Sequence, residues 1–227
     1  MDFDNNAQAI DKAMIPLARR CLVSYDGLTE RFDIHDMQRE FLMNNIHIRD
    51  LLGVRTRFCQ FYSQCLLQLQ KTVDSKNSGQ ALVPINMDLK NFKKLLEKAA
   101  HSAGDGTFDV FMKAATEANY LIQFYMPEQV VPFYQVMLDT CIDHGSEYET
   151  GVLMSIYGEA VSENKGDYKG GLEWYWKAEQ KLLPYGDSRR LAEVYQHIGW
   201  HHYTSGNGDE AVKESQRSRE VPSEESG

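Results

Sequence analysis

Residues 22–42 constrain the fold of this chain more than any other stretch. Two β-prone runs, LVSY at 22–25 and RFDI at 31–34, are joined by a segment that begins Asp26-Gly27. An Asp-Gly pair between two such runs is a strong signal for a β-hairpin. An amphipathic stretch follows at once, and Asp36 is a natural N-cap for it. The segment is therefore predicted to form a strand, a tight turn, a second strand and a helix.

The boundary between the second strand and this helix resembles a known motif. Ile34-His35-Asp36, followed by MQREFL at 37–42, resembles the MHD motif of the NB-ARC signalling ATPases, which include the apoptotic protease-activating factor and the plant immune receptors. The resemblance implies that the apolar run 9–18, the hairpin and the helix belong to a winged helix. It also implies that His35 reaches the β-phosphate of ADP on a separate nucleotide-binding domain, through a charge-assisted bond of roughly 1.5–3 kcal/mol. In the alternative interpretation, Asp36 caps the helix and His35 only ends the strand.

The chain carries no phosphate-binding loop of its own. No Gly-Lys dipeptide occurs anywhere in the sequence, so the lysine that would contact the β- and γ-phosphates is missing. We expect no bound cofactor and no ATP hydrolysis by this chain alone. ADP or ATP would be held by a full-length parent protein, of which this chain would be the carboxyl-terminal portion or a truncated relative.

Bulk composition is that of a cytoplasmic globular protein. The 227 residues are 42% hydrophobic and 25% charged, with a net charge of −9. This charge argues against a nucleic-acid partner, because phosphate binding requires Lys and Arg. No apolar run reaches the length of a membrane span, which takes about 18 residues or more. The four cysteines form no CxxC pair and are predicted to be buried, reduced thiols.

Beyond residue 45 the apolar spacing is helical. A long amphipathic helix is predicted from Ile46 to Leu69, and a polar loop from Lys71 to Gly79, which Pro84 prolongs. Asp88 is predicted to cap the next helix. Further helices are predicted from 108 to 125 and from Pro127 onward. A proline at 132 would remove a backbone hydrogen bond inside this last helix, so we expect the helix to start nearer Val131 or to bend there.

From Ser146 onward the chain resembles tetratricopeptide (TPR) repeats. Ser146 and Glu149 form a capping box for a first helix, and a turn at Gly166 leads into a second one. The plan recurs around Gly199 and the turn at Gly206. The two turns are 40 residues apart, against about 34 in standard repeats, so longer helices are expected. At these repeat positions Trp176 is predicted to pack in the core.

The concave face of such repeats is the predicted protein-binding surface. The residues assigned to it by repeat phase are Glu159, Glu163, Glu193, Gln196 and Trp200. Their carboxylates favour a basic partner peptide. His197 and His201 share a helix face, but without a third ligand they are interpreted as surface residues rather than a metal site.

The sequence thus predicts a mainly α protein: a winged helix with one β-hairpin, a helical domain and an α-solenoid of TPR-like helix pairs. The predicted boundaries are 1–45 for the winged helix, 46–86 for a connecting helix and linker, 87–145 for the helical domain, 146–219 for the repeats and 220–227 for a disordered tail. The function implied by the resemblance is non-catalytic regulation through protein contacts, including contact with a nucleotide-binding domain. Two alternatives remain: a stand-alone TPR adaptor, and a winged-helix transcriptional regulator with a TPR effector domain.

Overall fold

The structure is a computed structural model, and it describes residues 12–45, 51–76, 78–186 and 188–220. The chain divides into two compact units, Met1–Leu51 and Leu52–Gly227. The predicted mainly helical fold with one hairpin is confirmed for the described residues, which contain a single two-stranded sheet.

The first unit contains the predicted hairpin and its following helix. Residues 12–19 are helical (α1), strands β1 (Ser24–Asp26) and β2 (Arg31–Asp33) pair antiparallel, and α2 spans Asp36–Asn45. The Asp26 carboxylate fixes the turn, because it accepts hydrogen bonds from the Leu28 N–H at 2.9 Å and the Thr29 hydroxyl at 2.8 Å. The prediction of a turn starting at Asp26-Gly27 is therefore confirmed, although β1 begins two residues later than the β-prone run.

The apolar residues of helix α2 are more exposed than its amphipathic pattern predicts. Met37 and Phe41 belong to the stretch predicted to be amphipathic, whose apolar side should be buried, but they have exposed fractions of 75% and 63%. No residue from 12 to 42 is buried, and neither is Asn44. Truncating Phe41 therefore leaves no core cavity, contrary to the expectation from its apolar spacing.

The second unit begins with a helical assembly. Its helices are α3 (Leu51–Val73), α4 (Leu82–Glu97), α5 (Ser102–Asp105), α6 (Phe108–Glu117), α7 (Asn119–Tyr125) and α8 (Pro127–His144), with 3-10 turns at Ser78–Ala81 and Ala99–His101. Three sequence predictions are wrong in detail. The loop after α3 is shorter than expected, since α4 begins at Leu82, so Asp88 lies inside a helix rather than capping one. The single helix predicted for 108–125 breaks at Ala118.

Helix α8 begins at Pro127 rather than near Val131, and it continues through Pro132. A proline at this depth removes one backbone donor. The helix nevertheless persists because its apolar side is fully buried. The buried side chains are Val130, Phe133, Tyr134, Met137, Leu138 and Cys141.

Four helices complete the second unit as two antiparallel helical hairpins. The first consists of α9 (Glu147–Lys165) and α10 (Tyr168–Leu182), the second of α11 (Ser188–Thr204) and α12 (Gly208–Glu220). The Ser146–Glu149 capping box is present at the start of α9. Gly166 ends this helix with a φ of 67°, a left-handed conformation that glycine adopts without steric cost. Asp167 then caps α10 through the Gly170 N–H.

The α9–α10 hairpin is closely packed at two glycines. A Cβ added to Gly158 would lie 3.1 Å from the Gly171 carbonyl oxygen, and one added to Gly171 would lie 2.8 Å from the Gly158 carbonyl oxygen. In the second hairpin, a Cβ added to Gly199 would meet the Ala211 carbonyl oxygen at 3.4 Å, an ordinary contact. The two hairpins share one plan but differ in how closely their helices approach.

The core of the second unit runs from α3 to α11. The burial of single side chains differs from three of the sequence predictions. Trp176 is 44% exposed, whereas Trp174 packs edge-on against Tyr157 with ring centroids 5.2 Å apart. His201, expected on the surface, is 3% exposed. Of the cysteines, Cys59 and Cys141 are buried as predicted, Cys65 is half-buried and Cys21 is exposed.

Candidate functional site

A groove of about 480 Å³ lies where α3, α6, α9, α11 and the start of α7 come together in the second unit. Five helices from distant parts of the sequence therefore contribute to one surface. The residues that line it are Leu67, Gln70, Lys71, Asp74, Thr116, Glu117, Asn119, Ser155, Ile156, Glu159, Arg189, Arg190, Glu193 and His197.

Helix α9 forms one wall of the groove. Its residues Thr150–Gly158 are buried, because other helices pack on most of its circumference. Glu159 comes at the end of this buried run and is only half-buried. Its carboxylate accepts a hydrogen bond of 2.8 Å from the Gln123 side-chain amide of α7. The position of Glu159 is thus fixed by a neutral partner, which leaves its negative charge facing the groove.

Helix α11 forms the opposite wall through its first turns. The Glu193 carboxylate accepts from Arg189 at 3.3 Å and from Arg190 at 2.9 Å. Arg189 has 80% of its side chain exposed and Arg190 has 22%. One turn further, His197 stacks on Tyr175 with ring centroids 4.9 Å apart and an interplanar angle of 6°. Among the residues that the structure describes, Glu193 therefore has cations within ion-pair distance, whereas Glu159 has none.

The end of α3 forms the floor. Gln70 is 7% exposed, and its side chain makes two hydrogen bonds: its oxygen accepts from the Leu121 N–H at 3.2 Å and its NH2 group donates to Asp74 at 2.9 Å. A buried amide with both ends engaged holds its neighbours in fixed positions. Gln70 thus links α3 to α7 and orients the Asp74 carboxylate at the edge of the groove.

The groove is polar and carries a small excess of negative charge. Its lining includes four carboxylates, Asp74, Glu117, Glu159 and Glu193, against three cations, Lys71, Arg189 and Arg190. Small-molecule sites, in contrast, are mostly lined by apolar and aromatic side chains.

A second depression of about 340 Å³ adjoins the first, because Thr116, Glu117 and Arg190 line both. It continues between α6 and the start of α9, where Tyr148 and Val152 contribute apolar surface. Together the two depressions make an elongated surface rather than a single closed cavity.

The structure places the five predicted binding residues in different surroundings. Glu159 and Glu193 line the groove. Glu163, one helical turn beyond Glu159, is exposed and is not part of the lining. Gln196 and Trp200 are exposed on α11 outside the lining, and the Trp200 ring packs against Tyr203 at 5.9 Å.

The contributions of α3 and α6 were missed by the sequence analysis. Lys71 and Asp74 lie where the sequence predicted a polar loop, and Thr116 lies in a helix to which no site was assigned. Their role follows from long-range packing, for which the repeat pattern gave no signal.

His35 belongs to the first unit, and it is not among the residues that line this groove. It is exposed, and its ring nitrogen Nδ1 accepts the Met37 N–H at 3.3 Å. Because α2 begins at Asp36, His35 occupies the capping position, and the predicted role of Asp36 as N-cap is wrong. The Asp36 carboxylate instead pairs with Arg39 at 2.8 Å.

The histidine-rich stretch of α11 forms no evident metal centre. Among the residues that the structure describes, no three His, Cys, Asp or Glu side chains are placed to hold a metal ion together. Within the same residues, no helix combines the length and the apolar character that crossing a membrane requires.

Comparison with known proteins gives no family for this chain: no family model, no curated protein and no solved structure matches it. Its function is therefore argued from the geometry of the groove.

Proposed function

We propose that this chain is a non-catalytic protein-interaction module whose groove binds an extended segment of a partner protein carrying at least one Lys or Arg. The observation that carries the proposal is the polar surface shared by α3, α6, α7, α9 and α11. In its wall lies the carboxylate of Glu159, which has no ion-pair partner among the described residues.

The shape and the lining favour a protein segment over a small molecule. The groove and the adjoining depression form an elongated surface with side chains that both donate and accept hydrogen bonds, such as Asn119 and Thr116. An extended backbone offers a donor and an acceptor at every non-proline residue. A polar, open surface suits such a ligand, because its side chains can form hydrogen bonds with many backbone groups without enclosing the segment.

The charges favour a basic segment. Glu193 already pairs with two arginines, whereas Glu159 is held only by the neutral Gln123. A cation placed beside Glu159 would add a charge-assisted hydrogen bond, worth roughly 1.5–3 kcal/mol. The same charge distribution would steer a basic partner toward the groove and make association sensitive to salt.

The two helical hairpins support a repeat-type scaffold for this role. Each has a glycine of positive φ in its turn, Gly166 and Gly206, and a glycine in its first helix, eight residues earlier at Gly158 and seven residues earlier at Gly199. We propose that they are TPR-like repeats. Their first helices, α9 and α11, would then supply the concave wall. In support of this, both helices contribute residues to the groove lining.

A peptide selected from a random library for binding to this chain tests the proposal. Glu159→Gln removes the uncompensated charge with little change of shape and is expected to weaken binding about 10-fold or more. Glu163→Gln is the matched control, since Glu163 lies on the same helix outside the groove. Fluorescence anisotropy at several salt concentrations measures the affinity of both variants for the peptide. Equal affinities for wild type and Glu159→Gln, or equal losses in the two variants, would contradict the proposal.

A second candidate function concerns His35 and the resemblance to NB-ARC signalling ATPases. Because Nδ1 accepts the Met37 N–H, the neutral ring carries its proton on Nε2. We propose that this exposed donor binds the β-phosphate of ADP held by a nucleotide-binding domain outside this chain. In a protein that joins the two, His35→Ala would release ADP faster, whereas Met37→Ala, an exposed neighbour, would not. An unchanged release rate in the His35 variant would leave capping of α2 as its only role.

A further inference from the structure

The buried His201 lies at the seam between the two helical hairpins of the second unit. Its Nε2 is 3.1 Å from the Ser162 hydroxyl of α9, and its ring contacts Tyr175 and Tyr168 of α10 at 5.5 and 5.6 Å between centroids. The residue itself belongs to α11 and is 3% exposed. One imidazole therefore joins the second hairpin to both helices of the first.

Its hydrogen bonds define the protonation state in which the hairpins fit together. Ser162 donates its only hydroxyl proton to the Gly158 carbonyl oxygen at 2.9 Å, so it must accept from His201 at Nε2. Nδ1 is buried without a hydrogen-bond partner. In the neutral ring this atom is an unpaired acceptor. In the imidazolium it would become a buried donor with no acceptor, on a charged ring, which is far more costly.

We propose that His201 is a pH-sensitive latch: its protonation releases the turn end of the α11–α12 hairpin from α9 and α10. The remainder of the seam is held independently, since Arg217 of α12 pairs with Glu179 of α10 and lies 4.1 Å above the Tyr195 ring. Opening therefore begins at the turn around Gly206 and leaves the Arg217 end attached. The latch is a property of the hairpin seam and does not depend on what the groove binds.

The surrounding groups set the direction of the pH dependence. Burial lowers the pKa of His201 below its ordinary 6.5, and the neighbouring His197 and His202 act in the same direction, whereas the Glu163 carboxylate of α9 opposes them. Tyr168 and Tyr175 face the ring from α10, and burial raises the pKa of Tyr175. On the side of α12, the hydrogen bond and the charge of Lys213 lower the pKa of Glu210, and His202 acts in the same direction.

The sign follows from linkage. The open form, with an exposed histidine, binds a proton more readily than the docked form. Docking is therefore at full strength above about pH 6.5 and is lost as the pH falls through the lowered pKa of the docked state. The population of the open form should increase up to about tenfold between pH 7.5 and 5.5, a range in which ordinary carboxylates stay ionised.

Hydrogen exchange of the whole chain tests the latch. Protection factors, corrected for the intrinsic pH dependence of exchange, are expected to fall up to about tenfold from pH 7.5 to 5.5 for amides at 199–212. Those of α8 should stay constant. His201→Gln, whose neutral amide can still donate to Ser162, should abolish the change, and His202→Gln should retain it. Constant protection in wild type, or the same loss in His201→Gln, would overturn the proposal.

A direct titration covers the case in which His201→Gln does not fold. Nuclear magnetic resonance of the imidazole protons in wild type should give an apparent pKa below 6.5 for His201, with the loss of protection following the same titration curve. A value at or above 6.5 would show that the docked state accepts the proton without cost, and the latch would be wrong.

Discussion

Substituting Gly171 by alanine should destabilise the second unit, because this glycine is where α10 touches α9. An added Cβ would overlap the Ser162 hydroxyl and lie 2.8 Å from the Gly158 carbonyl oxygen. The second of these neighbours is backbone, which cannot rotate away. The Ser162 side chain could turn aside, but it would then lose its hydrogen bonds to Gly158 and His201.

The magnitude follows from three opposing contributions. Overpacking a close interface costs about 1–3 kcal/mol. Each of the two lost hydrogen bonds contributes about 1 kcal/mol. Replacing glycine by alanine inside a helix returns about 1 kcal/mol through helix propensity. The free energy of unfolding should therefore fall by about 2–4 kcal/mol.

Gly199→Ala is the matched control. Gly199 occupies the equivalent place in α11, but a Cβ there would have its nearest contacts at 3.4 Å, to Ala211 and Glu214. Without a clash, the gain in helix propensity remains, and stability should be unchanged or higher by up to about 1 kcal/mol. Urea unfolding followed by circular dichroism compares both variants with wild type. If Gly171→Ala were as stable as Gly199→Ala, the close approach of α9 and α10 would not exist in solution.

The remaining predictions also concern unfolding free energies, measured by the same assay. Phe111→Ala should cost about 3–5 kcal/mol, since Phe111 is fully buried; a cost below 1 kcal/mol would contradict the packing of α6. Phe41→Ala should change stability by less than about 1 kcal/mol because the ring is 63% exposed. A larger loss would show that it is covered in solution. Arg217→Ala should cost about 1 kcal/mol through the lost cation–π contact and ion pair, whereas Lys213→Ala, which breaks only the surface pair with Glu210, should leave stability unchanged. Equal effects of the two substitutions would remove the proposed anchor at the far end of the hairpin seam.

Local signals in the sequence predicted the parts of the fold that local interactions determine. The Asp26-Gly27 turn and the Ser146–Glu149 capping box involve residues at most three positions apart, and both form as expected. Their hydrogen bonds are made within a few residues, so no knowledge of packing is needed to predict them.

The start of α4 shows that a proline does not always indicate a loop. Pro84 was interpreted as prolonging a loop, but it is the third residue of α4. In the first turn of a helix the backbone N–H groups have no intrahelical partner, so proline is tolerated there. The break at Ala118 had no proline or glycine to indicate it. It follows from the packing of α6 and α7 on their neighbours.

Whether a single side chain is buried depends on contacts between residues that are far apart in the sequence. His201 is buried because its partner Ser162, 39 residues earlier, lies on the adjacent hairpin. Helical spacing alone cannot distinguish the buried side of a hairpin from its exposed one. For the same reason Trp174, rather than Trp176, is the tryptophan of α10 that packs against α9.

The candidate site was predictable in part. Repeat phase indicated Glu159 and Glu193, which both line the groove. It also indicated Glu163, Gln196 and Trp200, which lie outside. The contributions of α3 and α6 come from residues up to 130 positions before His197 in the sequence, and only tertiary packing brings them to α11.

The most direct test of the proposed binding groove is hydrogen exchange of this chain with and without the selected basic peptide. Amides of α9 around 155–160 and of α11 around 189–197 should become more protected in the complex, together with the end of α3 at 70–74. Helix α12, which contributes no residue to the groove lining, should remain unchanged and serves as the internal reference. Protection confined to α12 or to residues 12–45, with no change along α9 and α11, would contradict the assignment of the groove as the binding site.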